Sequence, residues 1–220
     1  MPRGRLIVFE GAEGAGKSTQ LRLVADWLAR RETCHGVLAV REPGGTSIGD
    51  EIRRLLLDPG SDILPRTEAF LFLASRAQLV EREIRPALDA GTTVLMDRFF
   101  LSTYAYQGVG RGLPEEELRA ANRMATGGLV PDLTVLLALP VEEGLSRAFR
   151  RGGHDRMERA ETAFHERVAR AFERFSTSEW QTAHPECGPI ILVDGVGGQE
   201  VVFGRVLARL RERWPEIFPS

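Results

Sequence analysis

The chain has 220 residues, 43% hydrophobic and 27% charged, which is enough to bury one sizeable core and short for two, so a single domain over residues 1–220 is expected. A net charge of -2 supplies no global positive field, which argues against nucleic acid as a partner. The apolar run after Met1 is only Leu6-Ile7-Val8-Phe9, too short for a signal sequence, and no stretch reaches the length of a bilayer span, so the expected compartment is the cytoplasm with no membrane partner.

In chain order, continuous apolar and β-branched runs occur at 6–9, 37–40, 92–96, 133–138 and 190–193. Runs that are apolar throughout, rather than alternating, belong to strands buried on both faces. Between them, helical periodicity predicts helices over 18–30, 48–57, 67–88, 114–124, 141–150, 158–180 and 200–214. Strand and helix in alternation predict an α/β fold, a parallel five-stranded sheet flanked by helices on both faces. One segment breaks the pattern. At 147–159 arginines surround Gly152-Gly153, and this reads as a mobile basic flap.

Two cysteines, Cys34 and Cys187, lie far apart and outside any Cys-x-x-Cys spacing, so neither a disulfide framework nor a zinc site is expected. The four histidines form no metal spacing. Of 29 basic residues Lys17 is the only lysine. A phosphate cradle would explain that exception, because it needs a compact point charge where a guanidinium fork does not fit; chance in an arginine-rich chain explains it equally well.

Lys17 lies in Gly11-Ala12-Glu13-Gly14-Ala15-Gly16-Lys17-Ser18, a complete G-x4-G-K-S between the first strand and the first helix, followed by Thr19. The glycines let successive amides turn toward phosphate oxygens at a helix N-terminus that favours anions. In this arrangement Lys17 reaches the β- and γ-phosphates of ATP and Ser18 ligates Mg2+. The Asn-Lys-x-Asp of GTPases cannot exist in a chain whose one lysine is Lys17. Asp97-Arg98 ends the third strand, where a parallel sheet delivers its functional groups. There Asp97 can hold Mg2+ or its water and Arg98 can clamp a phosphate, or the two can be a structural ion pair.

Several segments together resemble the thymidylate kinase family, from about residue 6 to residue 175. They are Phe9-Glu10-Gly11 before the P-loop, Glu42-Pro43-Gly44-Gly45-Thr46, Leu71-Phe72 with Arg76 and Gln78, Asp97-Arg98 followed by Ser102-Thr103-x-Ala105-Tyr106-Gln107-Gly108, Pro131-Asp132, and Asp155-Arg156-x-Glu158. The resemblance implies a P-loop kinase that phosphorylates dTMP to dTDP with Mg·ATP. The alternatives are another nucleoside monophosphate kinase or a P-loop switch without phosphotransfer. It further implies that Phe72 stacks on thymine, that Arg76 and Gln107 meet the polar edge of the base, and that Arg98 and the loop from Glu42 to Thr46 hold the acceptor. Thr103 belongs to the same acceptor set, and Tyr106 lies against the deoxyribose. For Phe72 a second reading stays open, since an aromatic in an apolar helix is as often core.

The flap resembles the family's LID. With Glu13 and no arginine inside the P-loop, the chain resembles members whose LID arginines supply the transition-state charge. Arg150, Arg151 and Arg156 are the candidates, with Arg147 nearby and Glu13 a partner for one of them on closure. The family often has tyrosine or histidine after Asp-Arg, where this chain has Phe99. The resemblance also implies a homodimer, whose interface the helix at 67–88 can supply, although a monomer core explains the same residues.

Overall fold

The structure, a computed structural model, describes residues 3–31, 36–150, 155–157 and 160–219. Its five strands are β1 (Leu6–Glu10), β2 (Val37–Arg41), β3 (Thr93–Asp97), β4 (Leu133–Ala138) and β5 (Ile190–Asp194), all parallel, in the order β2-β3-β1-β4-β5. All four expected features of the sheet, its strand number, its direction, its buried centre and its helical flanks, are present. Side chains of β1 alternate between two cores, as the period of two in a strand requires. Leu6 and Val8 join Val94, Met96 and Leu136 on one face, while Ile7 and Phe9 join Leu95, Val135 and Leu137 on the other.

The second face is covered by α1 (Lys17–Ala29), through Leu21, Val24 and Leu28, and by α10 (Gln199–Arg213), through Val202, Val206 and Leu210. The first face carries α3 (Pro65–Leu79), a π-helical turn (Val80–Ile84) and α4 (Arg85–Asp89), together with α8 (Thr162–Phe175). The helix expected over 67–88 is therefore one helical path with a widened turn. Pro86 has no amide to donate and its ring crowds the carbonyl four residues back, so the wider turn just before it relieves the conflict.

The helix expected over 158–180 divides into α8 and α9 (Ser178–Ala183). Thr177 interrupts it, accepting at Oγ1 from the Trp180 amide at 3.3 Å and so capping α9. Glu158 and Arg159 lie outside the described residues. Three further helices, α2 (Ser47–Leu57), α6 (Glu115–Thr126) and α7 (Val141–Arg150), stand within two residues of expectation. Residues 100–110 are an addition, since no element was predicted there. They form α5 (Phe100–Thr103) and a π-helical segment (Tyr104–Gly110).

Candidate active site

The P-loop follows β1 at the carboxyl edge of the sheet, beside the ends of β3 and β4. Its backbone is packed against the start of α7. A Cβ on Gly14, whose φ is 71°, would stand 2.0 Å from the Gly144 carbonyl oxygen, and a Cβ on Gly144 would stand 2.4 Å from that of Glu13. Only two glycines allow this approach. Lys17 is buried, with Nζ 3.0 Å from the Gly11 carbonyl oxygen and 2.7 Å from that of Ala12. Burial, and then the Arg98 charge, lower its pKa to about 8.

Ser18 donates to Asp97 Oδ2 in a short contact across the mouth of the loop. Next to Asp97, Arg98 has φ 71°, and it is the non-glycine residue with left-handed backbone among the described residues. Such a conformation persists only where neighbours hold it, and it marks functional sites. Here the Arg98 amide donates to the Phe9 carbonyl at 3.0 Å. Glu10, fully buried, accepts from the Phe99 amide at 2.7 Å, the Ser102 amide at 3.0 Å and the Ser102 hydroxyl at 2.7 Å, so it clamps the entry to α5.

Arg98 points back to the P-loop, with Nη2 2.8 Å from Glu13 Oε1, and the Tyr106 hydroxyl donates to the same oxygen at 2.9 Å. Burial alone would raise the Glu13 pKa, but Arg98 and Lys17 pull it down to about 2. Burial likewise works against the charge of Arg98, and the nearby carboxylates of Glu13 and Asp97 help to restore it. In this structure the partner of Glu13 is thus Arg98.

Farther in, Arg76 is 2% exposed and all five of its N–H donors are engaged. Glu42 takes Nε and Nη2, Phe99 O takes Nη2 at 2.8 Å, and Thr103 Oγ1 and Asn122 Oδ1 take Nη1. Burial raises the Glu42 pKa against the opposing pull of Arg76. Arg76 holds the pocket wall in this state and offers no spare donor to a ligand.

These groups surround one cavity of about 380 Å³. It runs from Glu13, Lys17 and Ser18, past Asp97 and Arg98, to Phe72, Tyr106 and Gln107. Phe72 is half-buried on this wall, whereas Phe70, two residues earlier, is 66% exposed, so neither is a core residue. Thr19, Glu42, Arg76 and Thr103 also line the space, and a volume of this size lies within the range of small-molecule sites.

A family model described as thymidylate kinase matches residues 9–185, most of the chain and every group just described. The chain belongs to the thymidylate kinase family. It is 44% identical over 213 residues to a thymidylate kinase of Deinococcus radiodurans, covering 97% of this chain and 99% of that one. It is 49% identical over 170 residues to one from Carboxydothermus hydrogenoformans, covering 77% of this chain and 83% of that one. The crystal structure of thymidylate kinase from Ehrlichia chaffeensis superposes with a TM-score of 0.73 at 27% identity, covering 96% of this chain and all of that one.

As in a P-loop kinase, the nucleotide loop and the acceptor residues expected from the sequence share one cavity. The LID candidates do not line it among the described residues. Arg151 lies outside them. Arg150 is exposed and donates to Ser146 Oγ at 3.1 Å. Arg156 donates to the Leu56 carbonyl at 2.8 Å and meets Glu68 Oε2 at 2.7 Å, on the acceptor side. Among the residues not singled out for this site from sequence are Arg53, Glu68 and Asn122, while Glu10 was quoted only as part of the segment before the P-loop. For Arg53 a signal existed: it lies four residues after Gly49 and four before Leu57, on the inner face of α2.

Proposed function

We propose that this chain transfers the γ-phosphoryl group of ATP to dTMP, as a nucleoside monophosphate kinase of the thymidylate kinase family. What carries the reading is the continuity of one cavity from the P-loop lysine to a half-buried phenylalanine flanked by polar groups. The acceptor phosphate is already ionised, so the reaction needs no general base, only in-line positioning and charge neutralisation. Lys17 would carry charge at the donor phosphates, and Arg98 would leave Glu13 to meet the acceptor phosphate. Phe72 would stack on the base, with Tyr106 beside the sugar. Another monophosphate kinase, or a switch without transfer, is not favoured by a family match that spans the acceptor residues.

Magnesium fits the residues present. A hydroxyl and a carboxylate, Ser18 and Asp97, already share a contact, and the described residues hold no cluster of three or more metal-ligating side chains. This suits a hard cation that keeps waters and is held through one or two protein oxygens and substrate phosphates. When bound, it would neutralise phosphate charge. The test is ADP release from ATP with dTMP, dUMP, dCMP, dAMP and dGMP offered separately, with and without magnesium. Turnover should be fastest with dTMP and lost on chelation, whereas equal slow release with every acceptor would leave only an ATPase.

We also propose a homodimer and a cytoplasmic location, with the whole chain as one catalytic domain. α3 packs between α2 and α6, and these helices expose Ile48 (54%), Phe70 (66%) and Met124 (84%). Large apolar groups gathered on neighbouring helices are what an interface between copies needs. Sedimentation should give twice the chain mass, and Phe70→Glu should give a single-chain mass with the fold kept. No described helix is long and apolar enough to cross a membrane.

A further inference from the structure

Glu10 is the last residue of β1, and the next residue, Gly11, opens the P-loop. Its side chain is 0% exposed, and three donors converge on it from the segment that leaves β3. Oε1 accepts from the amides of Phe99 and Ser102, and Oε2 accepts from the Ser102 hydroxyl. The residue before it, Phe9, accepts from the Arg98 amide. Two consecutive residues of β1 thus hold the left-handed backbone at Arg98 from both sides.

One proton sets the direction of the side-chain contacts. Arg98 carries only N–H groups, so where its Nη1 stands 3.0 Å from Ser102 Oγ the serine must accept. A hydroxyl has a single proton, and with a lone pair given to Arg98 that proton goes to Glu10 Oε2, 2.7 Å away. The order is therefore Arg98 to Ser102 to Glu10, a chain in which each bond polarises the next. The other end of the same guanidinium, Nη2, meets Glu13 of the P-loop. Nη1 rests on a partner anchored in the core, and Nη2 on a side chain of the nucleotide loop.

We propose that Glu10 is a positioning residue for the acceptor phosphate: through the Ser102 hydroxyl it fixes Nη1 of Arg98, so that Nη2 alone exchanges between Glu13 in the empty site and the phosphate of the acceptor. Because the backbone of Glu10 continues into the P-loop, one residue then sets the places of donor and acceptor phosphates together. In-line transfer needs that, since a misplacement of about 1 Å can cost two orders of magnitude in rate. The inference rests on the kinase reading above and adds Glu10 and Ser102 to it.

The experiment is calorimetric binding of dTMP and of thymidine, which has no phosphate, to the wild type, Glu10→Gln, Ser102→Ala and Ser102→Thr, and to the first two changes combined with Arg98→Ala. Ser102→Ala removes the acceptor of Nη1. Glu10→Gln keeps an oxygen for the two amides and turns its NH2 toward Ser102, which leaves the hydroxyl proton without an acceptor. Each should weaken dTMP binding by about tenfold, the worth of one hydrogen bond to a charged group, and leave thymidine binding unchanged. Ser102→Thr keeps the hydroxyl and should bind dTMP within about twofold of the wild type. In the Arg98→Ala background neither change should weaken dTMP further, because the group they position is gone. Undiminished dTMP binding in Ser102→Ala, equal weakening of dTMP and thymidine, or a further tenfold loss without Arg98 would overturn the proposal. A wild type that binds neither compound would instead remove the kinase reading itself.

Discussion

Lys17→Ala should lower kcat by about three orders of magnitude or more, the scale on which one fixed charge at a developing phosphoryl transition state acts, while the protein stays folded. Lys17 is buried at the turn between the loop and α1, and its hydrogen-bond partners among the described residues are two carbonyl oxygens. Its folded pKa, about 8, lies below its ordinary value of 10.5. Its charge therefore costs stability below about pH 8, and that cost fades as the pH rises toward 10.5. Removing the side chain should leave the melting temperature at pH 7 unchanged or higher. Bound triphosphate favours the charged form, so above about pH 8 ATP binding must take up a proton and its affinity must fall as pH rises. Calorimetric titration of ATP across pH 7–10 should show this slope in the wild type and none in Lys17→Ala. Wild-type turnover in the variant would remove Lys17 from the mechanism.

The second large effect should be on stability. Glu42→Ala strands the Arg76 guanidinium, 2% exposed, with no anion beside it. Breaking a buried pair from one side costs about 3–5 kcal/mol, which for a chain of this size lowers the melting temperature by roughly 6–20 °C. Glu51→Ala is the matched control. It breaks the Arg54–Glu51 pair, whose side chains are 76% and 68% exposed, and should change stability by less than about 1 kcal/mol. Equal shifts in the two variants, measured by thermal melting, would show that the Glu42–Arg76 pair contributes no more than a surface contact.

The contrast between those pairs also explains what could be read from the chain and what could not. The P-loop and Asp97-Arg98 were legible because each is a short local pattern at a strand end, with chemistry carried by contiguous residues. The strands were legible because a sheet buried on both faces leaves unbroken apolar runs. Glu68, Asn122 and the clamping role of Glu10 were not, because nothing local tells a buried carboxylate or amide from a solvated one. Glu10 meets Ser102 across 92 positions, and Arg76 meets Asn122 across 46. The same distance hid the helical character of residues 100–110, whose entry depends on Glu10 from β1. Phe72 was open between base platform and core, and only the neighbouring elements could show that it borders a cavity.

The reciprocal glycine contact between the P-loop and α7 ties the exposed Arg150, at the far end of that helix, to the nucleotide loop. With Gly14 and Gly144 in backbone contact, a side chain at either position would displace the root of α7, so any tilt of that helix against the loop would pivot there. Arg150 lies six residues beyond that fulcrum, an arm of about 9 Å along the helix axis. A tilt of about 20° carries its Cα by roughly 3 Å, so a small rotation at one backbone contact becomes a displacement the length of a hydrogen bond at the arginine.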